Sequence, residues 1–182
     1  MSNYQRIKQY DVANGEGIRT SIFFCGCDLH CPECFNFSIW DFGAGQLFTR
    51  QTYTKEIRDT MGPYIEGLSI LGGEPLDERN IYDVAQLVRW FRNDFRDTKD
   101  IWMWSGYEPE EILAALNDEN NIAYAQLLEF ILDEVDTIVL GRFKKEEKDL
   151  SLKWRGSKNQ IVFNLKNGKK DLVDYVENKK LD

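Results

Sequence analysis

All four cysteines of this 182-residue chain, Cys25, Cys27, Cys31 and Cys34, fall within one ten-residue stretch. Bridges that staple a small secreted domain are spread out to close loops around the fold, so this crowding reads as a ligand set. The spacing Cys27-x3-Cys31-x2-Cys34 brings three thiolates together on one loop. A cubane iron–sulfur cluster takes four thiolates, one per iron, so three leave one iron open to bind another molecule. The alternative is a four-cysteine zinc site that recruits Cys25, although structural zinc sites draw two ligand pairs from separated segments. Gly72-Gly73-Glu74-Pro75 is a second stretch suited to a site, because a missing Cβ permits close backbone approach and positive φ. Read by itself it is also an ordinary strand-to-helix turn.

These residues need elements to position them. Five short apolar runs recur, at Ile22 to Phe24, Leu68 to Leu71, Ile101 to Trp104, Ile138 to Leu140 and Ile161 to Phe163. Each is apolar at consecutive positions, as expected of strands in a parallel sheet covered on both faces. Between them, Ile81, Val84, Leu87, Val88, Phe91 and Phe95, then Tyr124, Leu127, Leu128, Ile131, Leu132 and Val135, recur at helical offsets. Pro109, Glu110 and Glu111 suit the first turn of a further helix, and one carrying Tyr53, Ile57 and Met61 is expected to end near Gly62 and Pro63. The alternation predicts β-α units with right-handed crossovers. Five or six strands are too few for a closed eight-stranded barrel, which takes about 250 residues. The expected fold is therefore α/β, an incomplete, open (β/α) barrel with parallel strands.

The cysteines follow the first run, Gly72-Gly73 the second, Ser105-Gly106-Tyr107 the third and Gly141-Arg142-Phe143 the fourth. Loops after the strand C-termini share one face of such a fold, so four loops are expected to converge on one site. One domain is expected over residues 1–165. A charged extension follows over 166–182, where Leu172, Val173 and Val176 suit a short amphipathic helix.

Composition narrows the class. With 42% hydrophobic residues the chain is that of a folded globular protein. The 23 basic against 31 acidic residues, a net charge of −8, disfavour capture of a nucleic-acid backbone. No apolar run approaches the roughly 20 residues that cross a bilayer, and the polar opening lacks a signal segment, so a cytoplasmic protein with no membrane partner is expected.

The Cys-x3-Cys-x2-Cys loop after a first strand resembles the signature of the radical S-adenosylmethionine superfamily. Asn14-Gly15-Glu16-Gly17-Ile18-Arg19 is similar to the opening of enzymes that activate glycyl-radical enzymes. Trp102-Met103-Trp104-Ser105-Gly106-Tyr107 and Trp154-Arg155-Gly156-Ser157-Lys158-Asn159-Gln160 resemble the subgroup that activates anaerobic ribonucleoside-triphosphate reductases. The matches run from about Asp11 to Phe163.

The resemblance implies a radical SAM type barrel and an oxidoreductase with a 4Fe–4S cluster on Cys27, Cys31 and Cys34. It implies S-adenosylmethionine on the open iron, split by one electron to methionine and a 5'-deoxyadenosyl radical that takes hydrogen from a backbone glycine of the reductase. Reduced flavodoxin or ferredoxin is implied as electron donor. Gly72 and Gly73 would offer carbonyls to the methionine ammonium, and Glu74 would orient that ammonium or cap the following helix. Glu33, Cys34 and Phe35 would lie against adenine, and Ser105 would reach the ribose or the methionine carboxylate. Arg155 would bind the partner or that carboxylate, with Arg19 and Arg142 as similar cases. Hydrogen-atom abstraction needs no acid–base side chain, so no catalytic residue is expected and His30 reads as an exposed loop residue.

Some positions depart from the pattern. Glu33 stands where the wider superfamily commonly has an aromatic residue, Leu140 where the subgroup usually has aspartate, and Cys25 reads as a free buried thiol. Two rival functions share parts of the pattern: a small-molecule radical enzyme such as a 7-carboxy-7-deazaguanine synthase, and a zinc or electron-transfer module. The Trp154 to Gln160 stretch stands against the first of these.

Overall fold

The computed structural model describes residues 1–34 and 36–179. Seven strands form one mixed sheet: β1 (Asn3–Asp11), β2 (Arg19–Phe24), β3 (Gln46–Leu47), β4 (Gly67–Gly72), β5 (Asp100–Ser105), β6 (Thr137–Leu140) and β7 (Ile161–Asn164). Their order is β3-β1-β2-β4-β5-β6-β7. The four central strands β2, β4, β5 and β6 run parallel, as their consecutive apolar residues predict.

The edges depart from the expectation. The fifth apolar run forms β7, but antiparallel to β6, so it is not a further parallel strand. The reason is the connection: residues 141–160 hold no α-helix, and an antiparallel neighbour needs no helical crossover. Among the described residues the strand count is seven rather than five or six, because β1 and β3 lack an apolar run. β1 reads NYQRIKQYD and buries only Tyr4 and Asp11, the pattern of a polar strand near a sheet edge. It pairs antiparallel with β2 and with β3.

Alternation along each strand divides the sheet into two faces. Ile22, Phe24, Leu68, Ile70, Ile101, Met103, Ile138 and Leu140 join the main core. Against them pack α2 (Ile81–Phe95), α3 (Pro109–Leu116), α4 (Ile122–Glu134) and α5 (Lys169–Lys179), through residues such as Val84, Phe91, Ile112, Leu128, Leu132 and Leu172. Burying each large aliphatic or aromatic side chain contributes about 1.5–3 kcal/mol before the entropy cost. A helical segment opens at α1 (Arg50–Thr52), runs through Tyr53–Ile57 and Arg58–Thr60, and adds Tyr53 and Ile57 to this core. It stops at Met61, just before Gly62 and Pro63. Glu108 begins α3 with its backbone N–H donating to Glu111 Oε2 at 2.8 Å, and Pro109 occupies the first turn. Within the segment expected as an extension, α5 buries Leu172 and Val176. Among the described residues no helix is long and apolar enough to cross a membrane.

The opposite face carries Ser21, Phe23, Ser69, Leu71, Trp102 and Trp104, and loops cover it. A small second core joins Phe23, Cys25, Ile39 and Leu71. At the N-terminal ends of the parallel strands Arg19 is wholly buried. Its Nε donates to Ser69 Oγ at 2.7 Å, its Nη2 donates to Leu68 O at 3.0 Å and forms an ion pair with Asp100 Oδ1 at 2.6 Å, and it lies over the Trp102 ring. The guanidinium thus ties β2, β4 and β5 together at the end away from the cysteines. Replacing it by an apolar side chain strands buried acceptors, which costs about 1–3 kcal/mol per group. Arg19→Met is expected to lower the unfolding free energy by about 2–4 kcal/mol in a urea titration while leaving iron content after reconstitution unchanged.

Candidate functional site

The loop after β2 is pinned along its backbone as far as Cys27. Cys25 N–H donates to Asn3 O at 2.8 Å, Gly26 N–H to Ile39 O at 2.7 Å and Cys27 N–H to Trp40 O at 3.0 Å. The loop after β4 closes on it from the other side. Gly73 N–H donates to Phe24 O at 2.8 Å, Glu74 N–H to Gly26 O at 2.7 Å, and Asn80 Nδ2 to Cys25 O at 3.0 Å. Such contact between two backbones leaves no room for side chains. A Cβ on Gly72, at φ +139°, would stand 2.1 Å from Phe24 O, and one on Gly73 would stand 2.2 Å from Gly26 O. The two glycines are required by this approach of loop to loop. Beyond Cys27 the chain coils tightly, with His30 and Glu33 at positive φ and Cys34 N–H donating to Cys31 O at 3.1 Å.

Cys27, Cys31 and Cys34 line one cleft of about 550 Å³. The same cleft is lined by Glu33, Gly72, Gly73, Glu74 and Ser105, and by Gly141 and Phe143, so the loops after β2, β4, β5 and β6 share it. Trp40, Trp104 and Trp154 form its aromatic wall. Cys25 is wholly buried, and belongs to the apolar cluster with Phe23, Ile39 and Leu71. It does not line the cleft that the other three share. His30 is exposed, its ring 4.6 Å from that of Trp40.

Burial pushes the Cys27 thiol up to about 11, against the pull of the Leu29 amide. The Cys31 thiol is also raised by burial, against the pull of the Phe143 amide. A bound cation overrides such a preference, because a coordinating thiol is deprotonated outright. Among the described residues no three His, Cys, Asp or Glu side chains converge on one point where a single ion would sit. A lone zinc requires thiolates about 2.3 Å from one centre, whereas a cluster takes one thiolate per iron. Three thiols spread along one loop, with the fourth cysteine buried elsewhere, fit a cluster with one open iron.

Glu74 is 1% exposed, and both of its oxygens are engaged by backbone. Leu76 N–H donates to Oε1 at 3.0 Å and Gly106 N–H to Oε2 at 2.8 Å. One carboxylate thus joins the loop after β4 to the loop after β5. Ser105 is buried beside it, and its Oγ accepts from Tyr107 N–H at 3.1 Å. Glu33 is exposed and paired with Lys145. Phe35 lies outside the described residues. Arg155 lines the cleft and donates to Gln160 O, while Arg142 pairs with Glu111 at 2.6 Å on the surface.

Several cleft residues carried no signal in the sequence reading. Asn14 and Trp40 come from segments read for other features or not at all, and Leu150 and Leu152 sit in a charged stretch. The apolar pair Leu150 and Leu152, spaced by two within KDLSLKW, was the available clue; Leu150 is 90% exposed at the cleft rim.

Burial raises Glu74 from its ordinary 4.5 to about 7. Between those values the folded protein holds a proton that the unfolded chain has released, so the contribution of Glu74 to stability declines as pH rises. In metal-free protein the unfolding free energy of the wild type should fall relative to that of Glu74→Gln between about pH 5 and pH 8. A difference between the two proteins that stays constant over that range, measured by urea titration, counts against a buried titrating carboxyl.

A family model described as a 4Fe–4S single cluster domain matches residues 13–163. The chain is similar to the anaerobic ribonucleoside-triphosphate reductase-activating protein of Escherichia coli, at 37% identity over 166 residues, covering 90% of this chain and 99% of that one. The protein of the same name from Vibrio cholerae is 36% identical over 162 residues, 88% of this chain and 96% of that one. That from Haemophilus influenzae is 35% identical over 167 residues, 90% and 99% of the two chains.

Proposed function

Because the chain belongs to the anaerobic ribonucleoside-triphosphate reductase-activating protein family and carries its 4Fe–4S single cluster domain, we propose that Cys27, Cys31 and Cys34 hold the cluster and that S-adenosylmethionine binds beside them in the cleft. The protein is an activating enzyme, and its partner is the anaerobic ribonucleoside-triphosphate reductase. The observation that carries the site assignment is the shared cleft: three cysteines of one loop face the loops that follow three other parallel strands. Held by Cys27, Cys31 and Cys34, the cluster would supply the one electron that splits S-adenosylmethionine to methionine and a 5'-deoxyadenosyl radical, the group that would take a hydrogen atom from a glycine of the reductase.

The residues of the chain bind, orient and exclude water. Backbone carbonyls at Gly72 and Gly73 receive the methionine ammonium, where the closeness of the two loops supports a fixed position. Glu74 holds the loops in register through the amides of Leu76 and Gly106, and the acceptor sites left on its two oxygens orient the methionine ammonium. Ser105 reaches the ribose or the methionine carboxylate. The backbone of Glu33 and Cys34 flanks the adenine, with Trp40, Trp104 and Trp154 excluding water from the reacting centre. Four parallel strands, helices on one face and loops on the other support an incomplete barrel of the radical SAM type, whose open side admits a loop of a protein substrate. The electron donor is reduced flavodoxin or ferredoxin.

Electron paramagnetic resonance tests this reading on anaerobically reconstituted protein with dithionite, S-adenosylmethionine and the reductase. A glycyl doublet on the reductase is expected, dependent on every component and abolished by Cys31→Ala. If 5'-deoxyadenosine forms without the doublet, the substrate is a different one. A colourless zinc protein with neither product would overturn the assignment altogether.

A further inference from the structure

The segment between β6 and β7 holds no α-helix, yet its backbone is ordered. Lys148 and Ser157 form an antiparallel bridge, Asp149 N–H donates to Gly156 O at 3.2 Å, and Lys158 N–H donates to Glu147 O at 2.9 Å. Residues 147–158 are therefore an irregular hairpin with 150–153 at its tip. Asp149 Oδ1 closes the tip by accepting from Ser151 N–H at 2.9 Å and from Ser151 Oγ at 2.6 Å. The stem is anchored to the fold. Trp154 O accepts from Trp104 Nε1 at 2.7 Å, and the Trp154 ring meets that of Trp102 edge-on at 4.8 Å. Gln160 Nε2 donates to Gly141 O at 3.0 Å, Asn159 Nδ2 donates to Arg142 O at 2.8 Å, and Ser157 Oγ accepts from Lys144 N–H at 3.2 Å.

This fixed tip presents an apolar side chain among positive charges. Leu150 is 90% exposed, and with Lys148 and Leu152 it lines the rim of the cleft that Cys27, Cys31 and Cys34 share. A single exposed leucine elsewhere on a surface is ordinary. Here its backbone is held in place at the entrance to the site. Residues 141–160 carry seven basic and three acidic residues in a chain of net charge −8. Arg142, Lys144, Lys145 and Lys158 are in ion pairs, whereas among the described residues Lys148, Lys153 and Arg155 are in none. Lys148 and Lys153, both exposed, stand on either side of Leu150 along the chain.

An apolar anchor with charges around it is the pattern of a protein contact, where the centre excludes water and the rim charges select and steer the partner. A small substrate would be enclosed by the cleft and gain nothing from a leucine turned to solvent. A second copy of this chain fits poorly, because an isologous contact through the tip would set its cations against their own copies. The reductase, in contrast, has to bring a glycine to this rim. We infer that the hairpin tip, Leu150 with Lys148 and Lys153, is the docking surface for the reductase, and that it receives an acidic segment flanking the target glycine. The inference rests on the reading of the cleft as the place where the radical forms.

Binding of the reconstituted full chain to the reductase is measured by biolayer interferometry at low and high salt. The glycyl doublet, and the 5'-deoxyadenosine formed without the reductase, are followed in parallel. Leu150→Asp, and Lys148→Glu combined with Lys153→Glu, are each expected to weaken binding at least about tenfold, as loss of a central anchor does. At limiting reductase the doublet falls with the binding and recovers at saturating reductase, while 5'-deoxyadenosine formed without the reductase stays at the wild-type level. Wild-type binding weakens as salt rises. Lys148→Arg combined with Lys153→Arg, which keeps both charges, matches the wild type. Unchanged binding in either the Leu150→Asp or the charge-reversed protein overturns the inference. So does loss of the 5'-deoxyadenosine formed without the reductase, which would place these side chains in the cofactor pocket. A dimer of the chain that Leu150→Asp dissociates, with reductase binding unchanged, assigns the tip to a second copy and also overturns it. Wild-type protein that binds the reductase yet forms neither 5'-deoxyadenosine nor the doublet overturns the reading of the cleft, and the inference with it.

Discussion

The site depends on a contact between two stretches of backbone. Where the loop after β4 meets the loop after β2, amide and carbonyl groups of Gly73, Glu74, Phe24 and Gly26 bond directly, with no side chain between them. Buried backbone groups outside regular strands have to find partners, and here each loop supplies the other's. The cysteine loop thereby gains a fixed origin at its start. The loop after β4 is brought as near to the cysteines as two chains can approach. Glycine is the residue type that permits this, and a methyl group at Gly72 or Gly73 would overlap a carbonyl oxygen of the other loop.

From that contact the order spreads sideways across the sheet. The carboxylate of Glu74 carries it to the loop after β5 by accepting from Gly106, at the energetic cost of a buried ionisable group. The carbonyl of Tyr107 then receives the Gly141 amide and carries it to the loop after β6. The turn at Trp154 to Gln160 holds that last loop from above and closes the series against the aromatic wall. Four loops with little regular structure are thus held by hydrogen bonds to one another, while the helices that build the core lie on the opposite face. Separation of this kind lets loop chemistry be specified without disturbing the packing beneath.

Charge follows a similar division. The chain is acidic overall, yet Arg142, Lys144, Lys145, Lys148, Lys153, Arg155 and Lys158 crowd the segment that borders the cleft, against Glu146, Glu147 and Asp149. Several are spent on local pairs, such as Lys145 with Glu33 and Arg142 with Glu111. These pairs tether the segment to the cysteine loop and to α3. Being exposed, they contribute little to stability.

The sequence alone determined what depends on residue type and local spacing. The spacing of Cys27, Cys31 and Cys34 marked the loop that lines the cleft, consecutive apolar residues marked the four parallel strands, and Pro109 with Glu111 marked the start of α3, because each signal lies within a few residues of chain. Placing loops after parallel strands also foretold that they would share a face. What only the tertiary structure decided involves partners far apart in sequence. The polar strand β1 is recognisable once β2 lies beside it, and β7 takes its antiparallel direction from a helix-free connection. Glu74 had two open roles in the sequence, and its environment shows both oxygens accepting from backbone amides. Arg19 read as a residue for the partner or the methionine carboxylate and is instead buried at the N-terminal ends of β2, β4 and β5, bonded to Ser69, Leu68 and Asp100. The stretch from Trp154 to Gln160 was visible only as a likeness; that its amides and hydroxyl close on residues 141–144 follows from two chain segments meeting in space, which no local pattern encodes.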